Sequence, residues 1–311
     1  MRQEYFRSLG NGSFHRIAYT DWGDVASPHV VLCVHGLARN SRDFDFLAAA
    51  LADRCRVACM DVAGRGESEW LDNKSHYTFS TYQNDAAAML ARATAPPPAK
   101  WFGRRPCEVK LDWVGTSMGG LIGMFLAAKR GSPIGRLVLN DVGALIPWSA
   151  LFRMKGYITR GRSFKSVDEV EAYVRNVCAP FGPLTDAQWR HLAQHTARQN
   201  GDGADSSPHS SHYALRYDPA IGENLHGHID PEFPIGPDMM RGIDLWNVWS
   251  KVECPVLVLR GAESEVLLKK TVDEMKERKP DVEVVEFPGV GHAPALMSAD
   301  QIRVVRDFLL R

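Results

Sequence analysis

The stretch GTSMGG places Ser117 between two glycines, Gly115 and Gly119. A serine hydroxyl is a weak nucleophile at neutral pH and needs an adjacent base to take its proton. Glycines on both sides permit a sharp turn that presents the serine, because larger side chains would collide with the backbone there. The stretch therefore predicts a nucleophilic serine. The competing interpretation is a serine that only serves a tight turn.

A histidine that could act as this base is His292, in the stretch GVGHAP near the end of the chain. Histidine titrates near neutral pH, so it can take the serine proton and return it to a leaving group. The imidazolium that forms on the way needs a carboxylate to stabilise it and to fix its tautomer. The acidic residues that follow predicted strands are Asp61, Asp141, Glu263 and Glu265.

Backbone N–H groups near the serine could bind the negative oxygen of a tetrahedral intermediate. A helix that starts at Met118 points its free N–H groups toward the site, so the N–H of Met118 is one candidate donor. The second donor is expected in the loop after His35 and Gly36, at the N–H of Leu37. His35 itself is expected to bond within its own loop and has no predicted catalytic role.

Short apolar runs rich in β-branched residues predict the strands that position these groups. Strands of this composition are usually covered on both faces, as in a parallel sheet. Functional groups of such a sheet gather at the carboxyl ends of its strands, which is where the serine, the histidine and the acids occur. The predicted strands are 30–36, 56–62, 110–115, 136–141, 254–261 and 282–289, with an antiparallel hairpin over 6–23 that turns at Asn11 and Gly12.

Helical patterns alternate with these strands, and four of them begin with the residue spacing of a capping box. The capping pairs are Ser80 with Gln83, Ser166 with Glu169, Thr185 with Gln188, and Ser298 with Gln301. Alternation of strands and helices indicates a parallel α/β sheet. It breaks between Asp141 and about Ser250, where we predict a helical insertion with a long loop at about 199–238 and no buried strand.

Five segments resemble the α/β-hydrolase superfamily: CVHGLARNSRDF, DVAGRGES, VGTSMGGLIG, CPVLVLRG and GVGHAP. The resemblance implies an α/β-hydrolase fold with a mostly parallel eight-stranded sheet flanked by helices and with a helical cap. It divides the chain into a core of residues 1–141 and 251–311 and a cap of residues 142–250. It also implies hydrolysis through an acyl-enzyme.

The same resemblance ranks the candidate acids. Related α/β-hydrolases usually carry an Asp in the loop after the strand that PVLVLRG matches, and here that loop reads GAESEV. Glu265 aligns with the usual Asp, so the resemblance favours Glu265 as the acid. Asp141 matches a position that some relatives use and is the alternative, with Glu263 third. Asp61, Arg65 and Ser68 are expected to organise the turn in DVAGRGES.

The expected reaction is hydrolysis of a carboxylic ester with a small to medium acyl group. The alternatives are carbon–carbon bond hydrolysis of a dicarbonyl ring-cleavage product, cofactor-free perhydrolysis, and a non-catalytic ligand-binding protein on the same fold. An apolar substrate pocket is expected along the stretch ALIPW. Its predicted lining residues are Gly36, Leu145, Ile146 and Trp148.

The composition argues against several other classes of protein. Lys plus Arg and Asp plus Glu number 37 each, which gives no sign of a nucleic-acid partner. No apolar run reaches the roughly 18 residues of a membrane helix, and no secretory signal is recognised at the start. The six cysteines lack CxxC spacing. We therefore expect a cytoplasmic protein with a small-molecule substrate and no membrane attachment, and the sequence leaves a homodimer open.

No cofactor and no metal are expected. The sequence contains neither a GxGxxG dinucleotide motif nor a P-loop. Four histidines could in principle ligate a metal, but they do not have the spacing of a familiar zinc site. They are His209, His212, His226 and His228.

Overall fold

The computed structural model of the chain describes residues 1–10, 12–95, 109–158, 162–199, 213–224, 236–238 and 240–311. Asn11, predicted to turn the hairpin, lies outside the described residues. So do the four histidines considered as metal ligands and most of the predicted loop at 199–238.

Strands and helices alternate along the described chain, as the sequence predicts. The strands are β1 (Arg2–Leu9), β2 (Phe14–Trp22), β3 (His29–Val34), β4 (Arg56–Met60), β5 (Lys110–Thr116), β6 (Ile134–Asn140), β7 (Leu145–Pro147), β8 (Ser163–Phe164), β9 (Ala197–Gln199), β10 (Tyr213–Leu215), β11 (Gly242–Asp244), β12 (Val256–Gly261) and β13 (Glu283–Phe287). The α-helices are α1 (Asp45–Leu51), α2 (Phe79–Thr94), α3 (Met118–Ala127), α4 (Trp148–Ile158), α5 (Val167–Val177), α6 (Asp186–Thr196), α7 (Ala220–Asn224), α8 (Trp246–Trp249), α9 (Lys269–Arg278) and α10 (Ala299–Leu309), and short 3-10 turns occur at Ser41–Phe44, Lys74–His76 and Ala179–Phe181. None of these described helices has both the length and the apolar character that a bilayer crossing requires.

Eight of the strands form one sheet in the order β1-β2-β4-β3-β5-β6-β12-β13. The pairs β1–β2 and β2–β4 are antiparallel, and the other neighbours are parallel. This arrangement confirms the predicted mostly parallel sheet of eight strands with an antiparallel hairpin at its edge. Each parallel crossover brings the carboxyl end of the next strand to the same edge of the sheet.

Both faces of the sheet are buried, which explains why the central strand β3 is apolar from Val30 to Val34. Val31 of β3 belongs to the cluster that contains Leu47 of α1 and Phe308 of α10. Its neighbour Leu32 points to the opposite face, into the cluster that contains Ile122 of α3. Successive residues of a strand alternate between faces, so a strand covered on both sides needs apolar residues at every position.

Two of the four predicted helix starts have the predicted caps. The side chain of Ser166 accepts a hydrogen bond from the N–H of Glu169 at the start of α5. Thr185 and Gln188 form a complete capping box at the start of α6, in which each side chain bonds the backbone of the other residue. The spacing of Ser or Thr with Glu or Gln therefore located both helices correctly.

The other two helix starts differ in detail from the prediction. Helix α2 is capped by Thr78 rather than Ser80, because the Thr78 side chain accepts a hydrogen bond from the first helical turn. Ser298 precedes α10 without a side-chain bond of the capping type. Gln301 instead accepts a hydrogen bond from the N–H of Leu296, which anchors the preceding loop to this helix.

Residues 142–250 contain short strands that the sequence analysis did not predict. β7 pairs with β11, and β8, β10 and β9 form a three-stranded sheet. Each of these strands is two or three residues long. A strand this short shows no recognisable alternation of apolar and polar residues. The helices α4 to α8 lie in the same region, and its division from the core as a cap stays a prediction.

Candidate active site

Ser117 lies on the tight turn that joins β5 to α3. Its φ of 52° is one that residues other than glycine rarely adopt. A Cβ atom on Gly115 would lie 2.3 Å from the carbonyl oxygen of Gly119, and one on Gly119 would lie 2.0 Å from that of Val34. Both flanking positions therefore require glycine. The close packing holds a strained serine at the carboxyl end of β5.

The Ser117 hydroxyl is connected to a buried carboxylate through His292. The Oγ atom of Ser117 lies 2.9 Å from Nε2 of His292. The Nδ1 atom of the same ring lies 2.7 Å from Oδ2 of Asp141. A carboxylate can only accept, so Nδ1 carries the proton, and the unprotonated Nε2 accepts from the serine hydroxyl. This tautomer leaves His292 ready to remove the Ser117 proton.

Asp141 is held by further donors that fix its orientation. It follows β6 directly, has a φ of 57° and is completely buried. Its Oδ1 atom accepts a hydrogen bond from the N–H of Gly261 at 2.9 Å. Its Oδ2 atom accepts another from the hydroxyl of Ser264 at 2.5 Å. These donors offset the cost of burying a charge and leave one oxygen facing His292.

The structure corrects the expectation that Glu265 pairs with His292. The side chain of Glu265 is 61% exposed and forms an ion pair with Arg153 of α4. Glu263 is also exposed, whereas Ser264 between them is buried. The backbone after β12 therefore turns the two glutamates outward and the serine inward. Sequence reasoning missed Ser264, since a hydroxyl between two acids gives no signal of which side chain points inward.

The loop after β3 orients the N–H group predicted as the second oxyanion donor. The carbonyl of Gly36 accepts hydrogen bonds from Nδ1 of His35 at 2.7 Å and from the N–H of Arg39 at 3.1 Å. A trans peptide points its N–H opposite to its C=O, so the N–H of Leu37 points away from these two donors. Gly36 borders the nucleophile, because a Cβ on it would lie 3.6 Å from Cβ of Ser117.

His35 serves this loop, as the sequence analysis expects. Its Nε2 atom accepts a hydrogen bond from the N–H of Val62 at 3.0 Å, while Nδ1 donates to the Gly36 carbonyl. Complete burial lowers the pKa of His35 to about 4, so the ring is neutral at pH 7. A neutral ring with one donor and one acceptor satisfies both backbone partners. His35 therefore has a structural role.

Met118 is the first residue of α3, so its N–H belongs to the helix turn that has no acceptor within the helix. Within the described chain, no acceptor occurs for the N–H of Met118 or for that of Leu37. Both belong to residues that neighbour the nucleophile, one directly and one through Gly36. Their role as an oxyanion hole remains a prediction.

The residues predicted to line the pocket lie in the segment that follows the buried acid. Leu145 and Ile146 form part of β7 and are almost completely buried, at 3% exposure each. Trp148 is half-buried and begins α4. The segment thus joins the carboxyl end of the sheet to the first helix of residues 142–250. The lining of a substrate pocket by these residues stays a prediction.

The segment DVAGRGES forms the compact turn that the sequence analysis expects. The carboxylate of Asp61 accepts hydrogen bonds from the N–H groups of Ser41 and Glu67. The hydroxyl of Ser68 donates to the carbonyl of Asp61 and accepts from the N–H of Ala18. Burial raises the pKa of Asp61 to about 6. These contacts engage Asp61 and Ser68 within the turn and join the turn to β2 and the loop after β3.

One cluster among the described side chains has the composition of a metal site. Asp45, His191 and His195 bring their ligand atoms within 4.8 Å of one another. A guanidinium already occupies the cluster, because Arg42 donates to Asp45 at 2.5 Å and its Nη1 lies 3.4 Å from Nδ1 of His195. A positive charge at this position opposes a bound cation. Burial, with the charge of Arg42, lowers the pKa of His195 to about 3.

Comparisons with known proteins agree with this fold. The profile described as "Alpha/beta hydrolase family" matches residues 31–305. Among solved structures, an alpha/beta hydrolase from Novosphingobium aromaticivorans superposes with a TM-score of 0.80 at 30% identity, covering 99% of this chain and 98% of that one.

Two curated relatives are similar over most of their length. A 3-hydroxybutyrate-oligomer hydrolase from Cupriavidus necator is 38% identical over 309 residues, which cover 99% of this chain and 97% of the relative. A 2-(acetamidomethylene)succinate hydrolase from Mesorhizobium japonicum is 25% identical over 288 residues, which cover 92% of this chain and 90% of the relative. Both relatives are named as hydrolases.

Proposed function

The chain belongs to the alpha/beta hydrolase family, and from this premise we propose that it is a serine hydrolase of carboxylic esters. The observation that carries the proposal is the continuous hydrogen-bond chain from Ser117 through His292 to Asp141, with distances of 2.9 and 2.7 Å. This series of hydrogen bonds has the order of donors and acceptors that an activated serine needs.

In the acylation half of the reaction, the Oγ atom of Ser117 attacks the ester carbonyl carbon. His292 takes the serine proton at Nε2, and the charge of Asp141 stabilises the imidazolium. The carbonyl oxygen becomes an oxyanion that accepts hydrogen bonds from the N–H groups of Leu37 and Met118. The intermediate then expels the alcohol, which leaves with the proton from His292.

In the deacylation half, a water molecule attacks the acyl group on Ser117. His292 removes a proton from the water, and the second oxyanion forms at the same two N–H groups. Collapse of this intermediate breaks the bond to Ser117 Oγ, which takes back the proton from His292. The products are a carboxylic acid and the free enzyme.

The substrate class that we propose is short oligomeric esters of 3-hydroxybutyrate. The relative from Cupriavidus necator, named for that substrate, aligns over nearly all of both chains at 38% identity. Such an ester presents a four-carbon acyl group with a single methyl branch. The buried apolar segment of Leu145 and Ile146 after Asp141 has the character to contact it.

The test compares the purified protein with its Ser117→Ala variant on a 3-hydroxybutyrate trimer and on p-nitrophenyl butyrate. We expect the wild type to release one acid per ester bond, and the variant to lose about a thousandfold or more in kcat/KM. A fluorophosphonate should label Ser117 in the wild type and leave the variant unlabelled.

Three outcomes would contradict the proposal. Cleavage of a dicarbonyl dienoate without ester turnover would indicate carbon–carbon bond hydrolysis. Turnover that requires peroxide would indicate perhydrolysis. Binding of the trimer without turnover and without fluorophosphonate labelling would indicate a non-catalytic protein.

A further inference from the structure

Arg65 is a completely buried cation without an anionic partner. Its side chain lies in the DVAGRGES turn and has no exposed surface. Within the described part of the chain, no carboxylate forms an ion pair with it. A buried charge is costly unless it is paired, so the position of Arg65 needs a reason other than stability.

The guanidinium is held by backbone carbonyls and by aromatic rings instead. Nη1 donates to the carbonyl of Ala63 at 2.7 Å. The guanidinium carbon lies 4.6 Å from the ring centre of Tyr82 and 5.9 Å from that of Tyr77. Ring faces stabilise a cation without neutralising its charge. The site therefore fixes the guanidinium firmly while its positive charge remains available to an anion that forms nearby.

Two further contacts of Arg65 reach the two residues whose N–H groups surround the nucleophile. Nε donates to the carbonyl of Leu37 at 2.9 Å. Nη2 lies 3.9 Å from Sδ of Met118 and donates to it. One side chain therefore contacts both the loop after β3 and the first residue of α3, which come from distant parts of the sequence.

We propose that Arg65 is a positioning residue that sets the distance between the N–H groups of Leu37 and Met118 and adds its charge to the stabilisation of the oxyanion. This proposal rests on the proposed function of Ser117. The hydrogen bond from Arg65 to the Leu37 carbonyl fixes the peptide group that follows Leu37. His35 and Arg39 bond the Gly36 carbonyl and so fix the preceding peptide group, which contains the N–H of Leu37. Donors held in advance of the reaction stabilise the transition state without a reorganisation cost.

The experiment measures kcat, KM and the affinity for two ketones in the Arg65→Gln and Arg65→Lys variants. An alkyl trifluoromethyl ketone forms a tetrahedral adduct with an oxyanion, and the methyl ketone of the same chain length binds mainly as an intact carbonyl. The matched control is Arg56→Gln. Arg56 is a partly buried arginine at the start of β4, and among the described residues its side chain bonds only Asp21.

For Arg65→Gln we expect kcat to fall about 10- to 100-fold while KM changes little, since a single direct oxyanion donor accounts for roughly 100- to 1000-fold. The affinity for the trifluoromethyl ketone should fall by the same factor, and the affinity for the methyl ketone should be unchanged. Arg65→Lys, which keeps the charge, should recover part of kcat. Arg56→Gln should leave kcat and both affinities as in the wild type.

A merely structural role predicts different results. If the affinities for both ketones fall equally in Arg65→Gln, or if kcat falls only as the folded fraction does, the positioning role is wrong. If Arg65→Gln does not fold, the two ketone affinities are compared in Arg65→Lys instead. If Arg65→Lys then shows the wild-type ratio of the two affinities, Arg65 does not set the distance between the two N–H groups. A wild type that hydrolyses no ester and binds neither ketone would overturn the proposed function and this proposal together.

Discussion

The loops that follow β6 and β12 both carry acidic residues to the same edge of the sheet, but only one of them meets His292. Asp141, after β6, is completely buried and lies 2.7 Å from Nδ1 of the imidazole. Glu265, after β12, has a side chain that is 61% exposed and pairs with Arg153. The two loops differ in backbone path more than in residue type. An acid becomes part of the site when its loop turns it inward.

The β12 loop nevertheless takes part in the site through its serine. Ser264 donates to Asp141 at 2.5 Å. Its hydroxyl also accepts the N–H groups of Val266 and Leu267, which fixes the turn. The loop in which the family resemblance predicted the acid here supplies a donor that orients an acid from another loop.

Among the variants of the two loops, replacement of Asp141 should have the largest effect. We expect Asp141→Asn to lower kcat/KM about 1000- to 10000-fold, because the amide no longer stabilises the imidazolium and favours the wrong tautomer of His292. Asn tolerates the positive φ of 57° at this position, so the fold should be retained. The measurement is steady-state hydrolysis of the trimer, with circular dichroism to verify folding.

The matched control for this prediction is Glu265→Gln. An exposed ion pair contributes about 0–1 kcal/mol, so this variant should keep both its stability and its turnover. Loss of turnover in Glu265→Gln, together with wild-type turnover in Asp141→Asn, would contradict the assignment of the acid.

Removing the Ser264 hydroxyl should have a smaller effect, which appears first in stability. Ser264→Ala leaves the buried Asp141 carboxylate with one donor fewer, and a hydrogen bond to a charged group contributes about 1.5–3 kcal/mol. Urea unfolding should show a decrease of this size in the free energy of unfolding. Ser250→Ala is the control, because within the described chain the Ser250 hydroxyl bonds only the exposed carbonyl of Asn247. Equal stability of the two variants would contradict a role of Ser264 in holding the acid.

The sheet could be predicted from the sequence because its physical signal is local. A central strand covered on both faces favours apolar residues at successive positions, and the run from Val30 to Val34 in β3 shows this directly. Ser117 could be placed for the same reason, since its turn requires glycine at 115 and 119. The pairs β7–β11 and β9–β10 could not be predicted, because two or three residues carry no period.

The choice of acid depended on information that the sequence does not contain locally. Asp141 and Glu265 both follow strands, so the spacing alone leaves them equal. What separates them is the direction in which each loop leaves the sheet, and this is set by tertiary contacts such as the Asp141 bond to the N–H of Gly261. Family resemblance favoured Glu265 because alignment reports position and not orientation. Arg65 was placed in its turn correctly, but its contacts with Leu37 and Met118 join segments that are separate in sequence.

Moving the acid from the β6 loop to the β12 loop tests directly whether side-chain orientation decides which acid serves His292. In the Asp141→Asn background, we expect Ser264→Asp to recover about 10-fold in kcat/KM, since the new carboxylate extends from a buried position whose hydroxyl lies 2.5 Å from the lost oxygen. The Asn amide can donate to it, so the donor and the acceptor exchange places. The control adds Glu265→Asp to the same background and should recover nothing, because that side chain points to solvent. Equal recovery in both double variants would show that orientation after β12 does not decide which acid serves His292.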